Sequence, residues 1–323
     1  MHMKEYFGKN KTCICIDQFA ASNLFDESPG QHWAEIAALI DVKFAEGKII
    51  CPVPTEHFLE SSNRSKERAL KVDHKLHELG HGLAFLPEAA IAANFMVALL
   101  RNLPVDQHIF CAPLKHASTF SQQGAFNGFK EQHADLNAKV TEAAIGANKL
   151  REILAEKRFP RSVMEPMYQA SKWQQVRPFL ERLAELIDTG QIISRGVDFQ
   201  TGQVIHWADL IIQILLWKYK VTADECRRLL DIIVATGFDR IPPLDIRVSL
   251  TANLAIEHKK ETINDQIDIM RLSTGLPAAD FVFTDKQRKF ELSQTGLDKK
   301  YQAEIFSGTK ADLVLFLSRL RTV

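Results

Sequence analysis

The chain has 323 residues, 46% hydrophobic and 25% charged, an ordinary globular composition with enough length for one large domain or two of usual size. Its 40 basic and 40 acidic residues cancel to a formal net charge of zero, which excludes a bulk polycation, so any nucleic-acid contact must come from a local patch. No apolar run approaches the roughly 20 residues of a membrane span, and five cysteines without metal-ligand spacing suit a reducing compartment, so a cytoplasmic protein with no membrane partner is expected.

Thr12-Cys13-Ile14-Cys15-Ile16 is an apolar run without alternation, the pattern of a strand buried on both faces of a parallel sheet. It stops at Asp17. Open α/β sheets bind ligands beyond the carboxyl ends of their strands, which puts Asp17 where chemistry is usually done; alone, it reads as readily as a helix N-cap. A helix from about Trp33 to Ala45 follows, with Ile36, Leu39, Ile40 and Phe44 on one stripe and Gly47 as its stop. The apolar stretch from Lys48 to Pro54 then completes a βαβ unit.

A long helix from about Glu56 to Leu79 places His57, Glu60, Arg64 and Arg68 along one face. They read as a surface ion ladder, and equally as a ligating Glu60 oriented by an arginine. The helix ends in His77-Glu78-Leu79-Gly80-His81-Gly82, the HExxH spelling of zinc peptidases. That chemistry needs both histidines on one uninterrupted helical turn. Glycines on either side of His81 predict a helix C-cap instead, so a zinc metallopeptidase working through His77, Glu78 and His81 is the least favoured reading.

From Pro87 to about Gly237 the pattern is almost wholly helical, over Ala90–Leu100, Phe129–Lys157, Val163–Asp188, Ile205–Tyr219 and Ala223–Thr236. It carries no recognisable chemistry. Arg240-Ile241-Pro242-Pro243-Leu244 reads as a boundary. Beyond a helix with Leu250, Leu254 and Ile256 come a helix start bearing Asp265 and Asp268, a turn at Leu276-Pro277, and a short apolar strand ending in Thr284-Asp285-Lys286. Glu304–Gly308 reads as a last strand, and Thr309 caps a final helix over Ala311–Arg321. Carboxylates at strand ends and helix starts are what a hard divalent cation takes as ligands, so Asp17 and Glu60 are expected to converge on Asp268 and Asp285.

As an ordered set, Ile14-Cys15-Ile16-Asp17-Gln18, Pro52 to Glu60 with Arg64 and Arg68 after it, Asn264-Asp265-Gln266-Ile267-Asp268, Leu276-Pro277 and Phe283-Thr284-Asp285-Lys286 resemble the motifs of PIN-like nuclease domains. The likeness is to large bacterial PIN-like proteins with a helical insertion. It covers roughly residues 10–86 and 240–323, about half the chain. The resemblance implies an α/β fold, a Rossmann-like three-layer α/β/α domain in two halves, 1–86 and 240–323, around an all-helical insertion, 87–239. It implies a Mg²⁺ or Mn²⁺ pocket with Asp17, Glu60, Asp268 and Asp285 as catalytic ligands and Asp265 as a further ligand or water-positioning group. It implies hydrolysis of phosphodiester bonds, usually in single-stranded or structured RNA, and a toxin or defence role by family habit. Arg64, Lys286, Arg288 and Lys259-Lys260 are the cations expected to hold phosphate, and Asp280 is expected to cap the turn. The alternative is a catalytically silent PIN-like module that binds RNA or protein. The helical block departs from the commoner pattern and leaves the substrate, a protein regulator and self-association open.

Overall fold

The computed structural model describes residues 4–8, 11–25, 30–54, 66–113, 161–191, 206–257, 259 and 262–323. In chain order the described strands are β1 (Thr12–Ile16), β2 (Ile49–Ile50), β3 (Leu83–Phe85), β4 (Cys111–Pro113), β5 (Phe281–Phe283) and β6 (Glu304–Phe306). The described helices are α1 (Gln18–Phe25), α2 (Gln31–Ala45), α3 (Lys66–Leu79), α4 (Glu88–Arg101), α5 (Gln107–Phe110), α6 (Arg161–Thr189), α7 (Trp207–Trp217), α8 (Ala223–Thr236), α9 (Pro242–Ile256), α10 (Ile263–Gly275), α11 (Lys286–Thr295), α12 (Leu297–Lys300) and α13 (Lys310–Thr322). The protein is mixed α/β and mostly helical. It divides into one unit of Met1–Leu86, Asp106–Gly146 and Glu261–Val323, and another of Pro87–Val105 and Ala147–Lys260.

The first unit is organised by a four-stranded parallel sheet in the order β2-β1-β5-β6. β1 is buried along its whole length, as its unbroken apolar run requires. Ile14, Ile16, Phe281, Phe283 and Phe306 share one face, where they join Leu24 of α1, Ile36 and Ile40 of α2, Leu76 of α3, and Phe316 and Leu320 of α13 in one core. Phe316 meets Phe281 and Phe283 edge to face, with ring centroids 5.8 and 5.1 Å away, a geometry worth about 1 kcal/mol per pair beyond area burial.

Side chains alternate along a strand, so Cys13 and Cys15 face the other way. Burial above all, and then the neighbouring cysteines, push the thiols of Cys13, Cys51 and Cys111 up, so they remain protonated at neutral pH. Four of the five cysteines therefore act as small core residues gathered around β1, a cluster that their scattered spacing does not reveal. Gly275, the last residue of α10, lies directly on Cys15, and a Cβ there would strike the Cys15 Sγ.

The expected second strand, from Lys48 to Pro54, is shorter in the structure. Regular pairing stops at Ile50, and Pro52 has no N–H to offer. The chain pairs again at Val53, whose N–H donates to Leu83 O (3.2 Å) and whose carbonyl accepts from Phe85 N (2.9 Å). β3 is in turn antiparallel to β4. The helical reading that begins at Pro87 does not foresee β4, and β3, just before it, is not read as a strand; strands of three residues are too short to show a period.

In the second unit, α4, α7, α8 and α9 pack with one another or on the long α6. Buried carboxylates pin it. Arg247 grips Glu88 with both arms (2.6–2.9 Å), Arg182 reaches Asp209 (2.6 Å) and Lys172 reaches Asp245 (3.0 Å). The boundary expected at 239/240 falls after Lys260 instead. The prolines that read as a boundary are the opening residues of α9, where a missing N–H costs nothing. The helix expected over Phe129–Lys157 lies outside the described residues.

Gly275→Ala should destabilise the protein by about 1–3 kcal/mol, the usual cost of overpacking. Urea titrations should show that Gly275→Ala with Cys15→Ala costs less than the two single changes summed.

Candidate functional site

In a parallel sheet every strand presents its carboxyl end at the same edge. Ile16 pairs with Phe283 and Phe283 with Phe306, so Asp17, Thr284 and Ser307 come next in line. The ladder runs one residue past the strands: Asp17 N donates to Phe283 O (3.1 Å) and Thr284 N to Phe306 O (2.9 Å). All three residues are buried, Asp17 at 4% exposure. Asp17 Oδ1 accepts from Ala20 N (2.8 Å) and so caps α1. Asp285 Oδ1 accepts from Gln287 N (2.6 Å) and Arg288 N (2.9 Å) and so caps α11. The cap reading and the functional reading of these aspartates are compatible. For Asp285 no hydrogen bond among the described residues falls on Oδ2.

Next to Asp285 lies a charge network built on Arg288, which is 2% exposed. Its guanidinium pairs with Asp265 and Glu291 and points Nε at Asp268 Oδ2 (3.4 Å). Burial disfavours its charge, but the carboxylates of Glu291, Asp265, Asp268 and Asp285 outweigh that and raise its pKa. Asp268 also lies 3.5 Å from Arg271, and Asp265 closes a capping box with Thr262 at the start of α10. Asp265 and Asp268 thus lie against a cation supplied by the chain itself, and Asp285 accepts from the backbone N–H of the same residue. Arg288, expected to grip phosphate, is engaged by carboxylates and is not presented to solvent. Lys286 is exposed and makes no ion pair with a described residue. Lys259 pairs with Glu257 at 2.7 Å. Glu60, Arg64 and Lys260 lie outside the described residues.

Sequence reasoning missed several members of this edge. Glu291 is fully buried against Arg288; three residues apart on a helix, the two read as a routine surface pair. Asp312 accepts from Ser307 N (2.9 Å) and the Ser307 hydroxyl, and holds Lys289 Nζ at 2.5 Å. Burial opposes its charge, but Lys289 and Ser307 keep its pKa below the ordinary carboxylate value. The Thr309-to-Asp312 spacing, a capping-box spelling, conceals that second task.

Two other expectations resolve away from this edge. Asp280 accepts from Lys4 N (2.9 Å) and Cys13 N (2.8 Å), so it fastens the starts of β1 and β5 rather than taking part in the site. Lys4 Nζ donates to Leu276 O and Ala279 O (3.0 and 2.8 Å), and burial lowers its pKa to about 8. In the HExxH string, α3 ends at Leu79 and His81 has a left-handed φ of 49°. His81 packs on Phe44 with rings 4.4 Å apart, so the two histidines do not share a helical turn and the zincin geometry is not formed.

The oxygens at the carboxyl edge suit a hard cation in kind. Among the described residues no three His, Cys, Asp or Glu side chains gather as a metal cage; Glu60 is outside that set. Comparison of the chain with protein-family models finds no match. Comparison with curated proteins and with solved structures likewise finds none.

Arg288→Met should cost about 3–5 kcal/mol, because it strands buried carboxylates without their cation. Thermal or urea unfolding should show much of that loss recovered when Glu291→Leu is added.

Proposed function

We propose that the carboxyl edge of the sheet is the active site of a metal-dependent nuclease that hydrolyses phosphodiester bonds, with RNA as the substrate. In this reading the first unit is a Rossmann-like, three-layer PIN-like domain and the second is its helical insertion. The observation that carries the reading is the hydrogen bond from Asp17 N to Phe283 O. It ties the end of β1 to the end of β5, so Asp17 and Asp285, from opposite ends of the chain, follow neighbouring strand ends.

Asp17, Asp285 and Asp268, with Glu60, are the residues to hold Mg²⁺ or Mn²⁺. Such a cation, when bound, polarises a phosphoryl oxygen and lowers the pKa of the attacking water. The chain's own contributions are separable. Asp17 and Asp285 each accept from the first turn of the helix they cap, which orients their carboxylates. Arg288 holds Asp268 and Asp265 in place, which makes it a positioning residue. Lys286 meets the phosphate backbone from solvent. Among the described residues no helix is long and apolar enough to cross a membrane. All five cysteines are free and buried, which fits a reducing cytoplasm.

A second reading is favoured by the same Arg288. An acidic cluster that carries its own cation has less need of a metal, as in a silent module that binds RNA or a protein regulator without cutting. The two readings differ in one assay. With labelled RNA and Mn²⁺, the nuclease reading expects cleavage that EDTA stops and that Asp17→Asn and Asp285→Asn each reduce at least a hundredfold. Their melting temperatures should stay near the parent's, because asparagine caps a helix as well as aspartate does. Binding with no cleavage by the parent protein would favour the silent module.

A further inference from the structure

Beside Asp17 the chain exposes an aromatic side chain that the fold does not need to expose. Phe19, in the first turn of α1, is 43% exposed, although it is two residues from the buried Asp17. Its ring is held from two sides. It meets Trp33 of α2 edge to face, with centroids 6.0 Å apart and planes at 81°, and Trp33 in turn leans on Phe283 of the core (5.2 Å). On the other side it lies against the backbone at Gly308, in the turn that leaves β6. A Cβ at 308 would come 2.7 Å from Phe19 Cζ and 3.4 Å from Trp33 Cζ2. Gly308 has no left-handed φ to explain it, so what requires glycine there is the close approach of the ring. A partly exposed phenylalanine on a flexible contact would be unremarkable; this one is clamped between an indole and a backbone at the end of the sheet that carries the acidic residues.

The surroundings suit a polyanion. Lys286 follows Asp285 and Lys310 follows Thr309, each as the first residue of its helix, and both are exposed with no ion pair to a described residue. A lysine at a helix N-terminus is disfavoured by the helix dipole, so neither is explained by helix stability.

We propose that Phe19, buttressed by Trp33 and Gly308, is the stacking platform for an unpaired base of the nucleic-acid strand, with Lys310 and Lys286 on the flanking phosphates. This rests on the nucleic-acid reading above and extends it by naming the substrate form: a single strand, because a base inside a duplex has no free face to lay on the ring. Base–aromatic stacking tolerates every base, so the platform places the strand without selecting its sequence.

The test is fluorescence anisotropy of the full chain with a labelled ten-nucleotide oligouridylate, in EDTA so that nothing is cut, alongside the same backbone made abasic. Phe19→Ala should weaken binding of the oligouridylate roughly 5- to 100-fold, the range of a lost stacking contact. It should leave the abasic strand bound as the parent protein binds it. Phe19→Trp should restore binding to within about threefold, since the larger ring stacks at least as well. Melting curves of both variants exclude a collapsed site as the cause. Equal loss on both probes, or no loss on either, overturns the platform and leaves the nuclease reading standing. Failure of the parent protein to bind either probe at low salt removes the nucleic-acid reading and the platform with it.

Discussion

Parallel pairing between β1 and β5 is the constraint on which everything else depends. It joins residues 267 positions apart, as the hydrogen bond from Cys13 N to Asp280 makes plain. Closing so long a loop costs only slightly more than closing one half as long, but the closure is repaid only if the contact is specific. Asp280 makes it specific at one end of the strands by holding both Cys13 and Lys4. The bond from Asp17 N to Phe283 O fixes the other end. Between them Gly275 lets α10 rest on Cys15, which sets how far the start of α10, with Asp265 and Asp268, stands from the strand ends.

The acidic residues so gathered would repel one another. The chain answers part of that repulsion itself. Arg288 enters from the first turn of α11, the helix that Asp285 caps, and its side chain pairs with carboxylates on α10 and α11. A buried network of this kind contributes little net stability against an apolar replacement, yet breaking one member is costly. Its effect is to hold a single arrangement. Asp312, tied to Ser307 and Lys289, does the same for the end of β6. The residues around Asp285 are therefore tied to one another by hydrogen bonds and ion pairs within the chain.

Much of this was legible in the sequence wherever a pattern had length. The run Thr12–Ile16, the stripe of α2, the capped start of α13 and the break of the HExxH string at Gly80 all follow from periodicity or from capping chemistry. Asp17 and Asp285, both nominated for the site, follow the paired ends of β1 and β5. What escaped has a common cause: burial of a polar side chain, or of a three-residue strand, is decided by neighbours far away in sequence. Nothing local distinguishes Arg288 from an exposed lysine-like anchor, or Glu291 from a surface partner. β4 spells Cys-Ala-Pro, which no strand propensity favours. Pro242 and Pro243 carry two meanings, boundary and helix start, and only the packing of α9 within the helical unit separates them.

The central claim is that the carboxyl edge takes a divalent cation through Asp17 and Asp285. Mn²⁺ titration followed by the electron paramagnetic resonance signal of the free ion tests it without relying on any substrate. The account predicts that the parent protein removes Mn²⁺ from solution with at least one site per chain, that Mg²⁺ competes for it, and that Asp17→Asn abolishes the uptake while the protein stays folded. A parent protein that leaves the free-ion signal unchanged at millimolar Mn²⁺, or an Asp17→Asn variant that binds as the parent does, would contradict it.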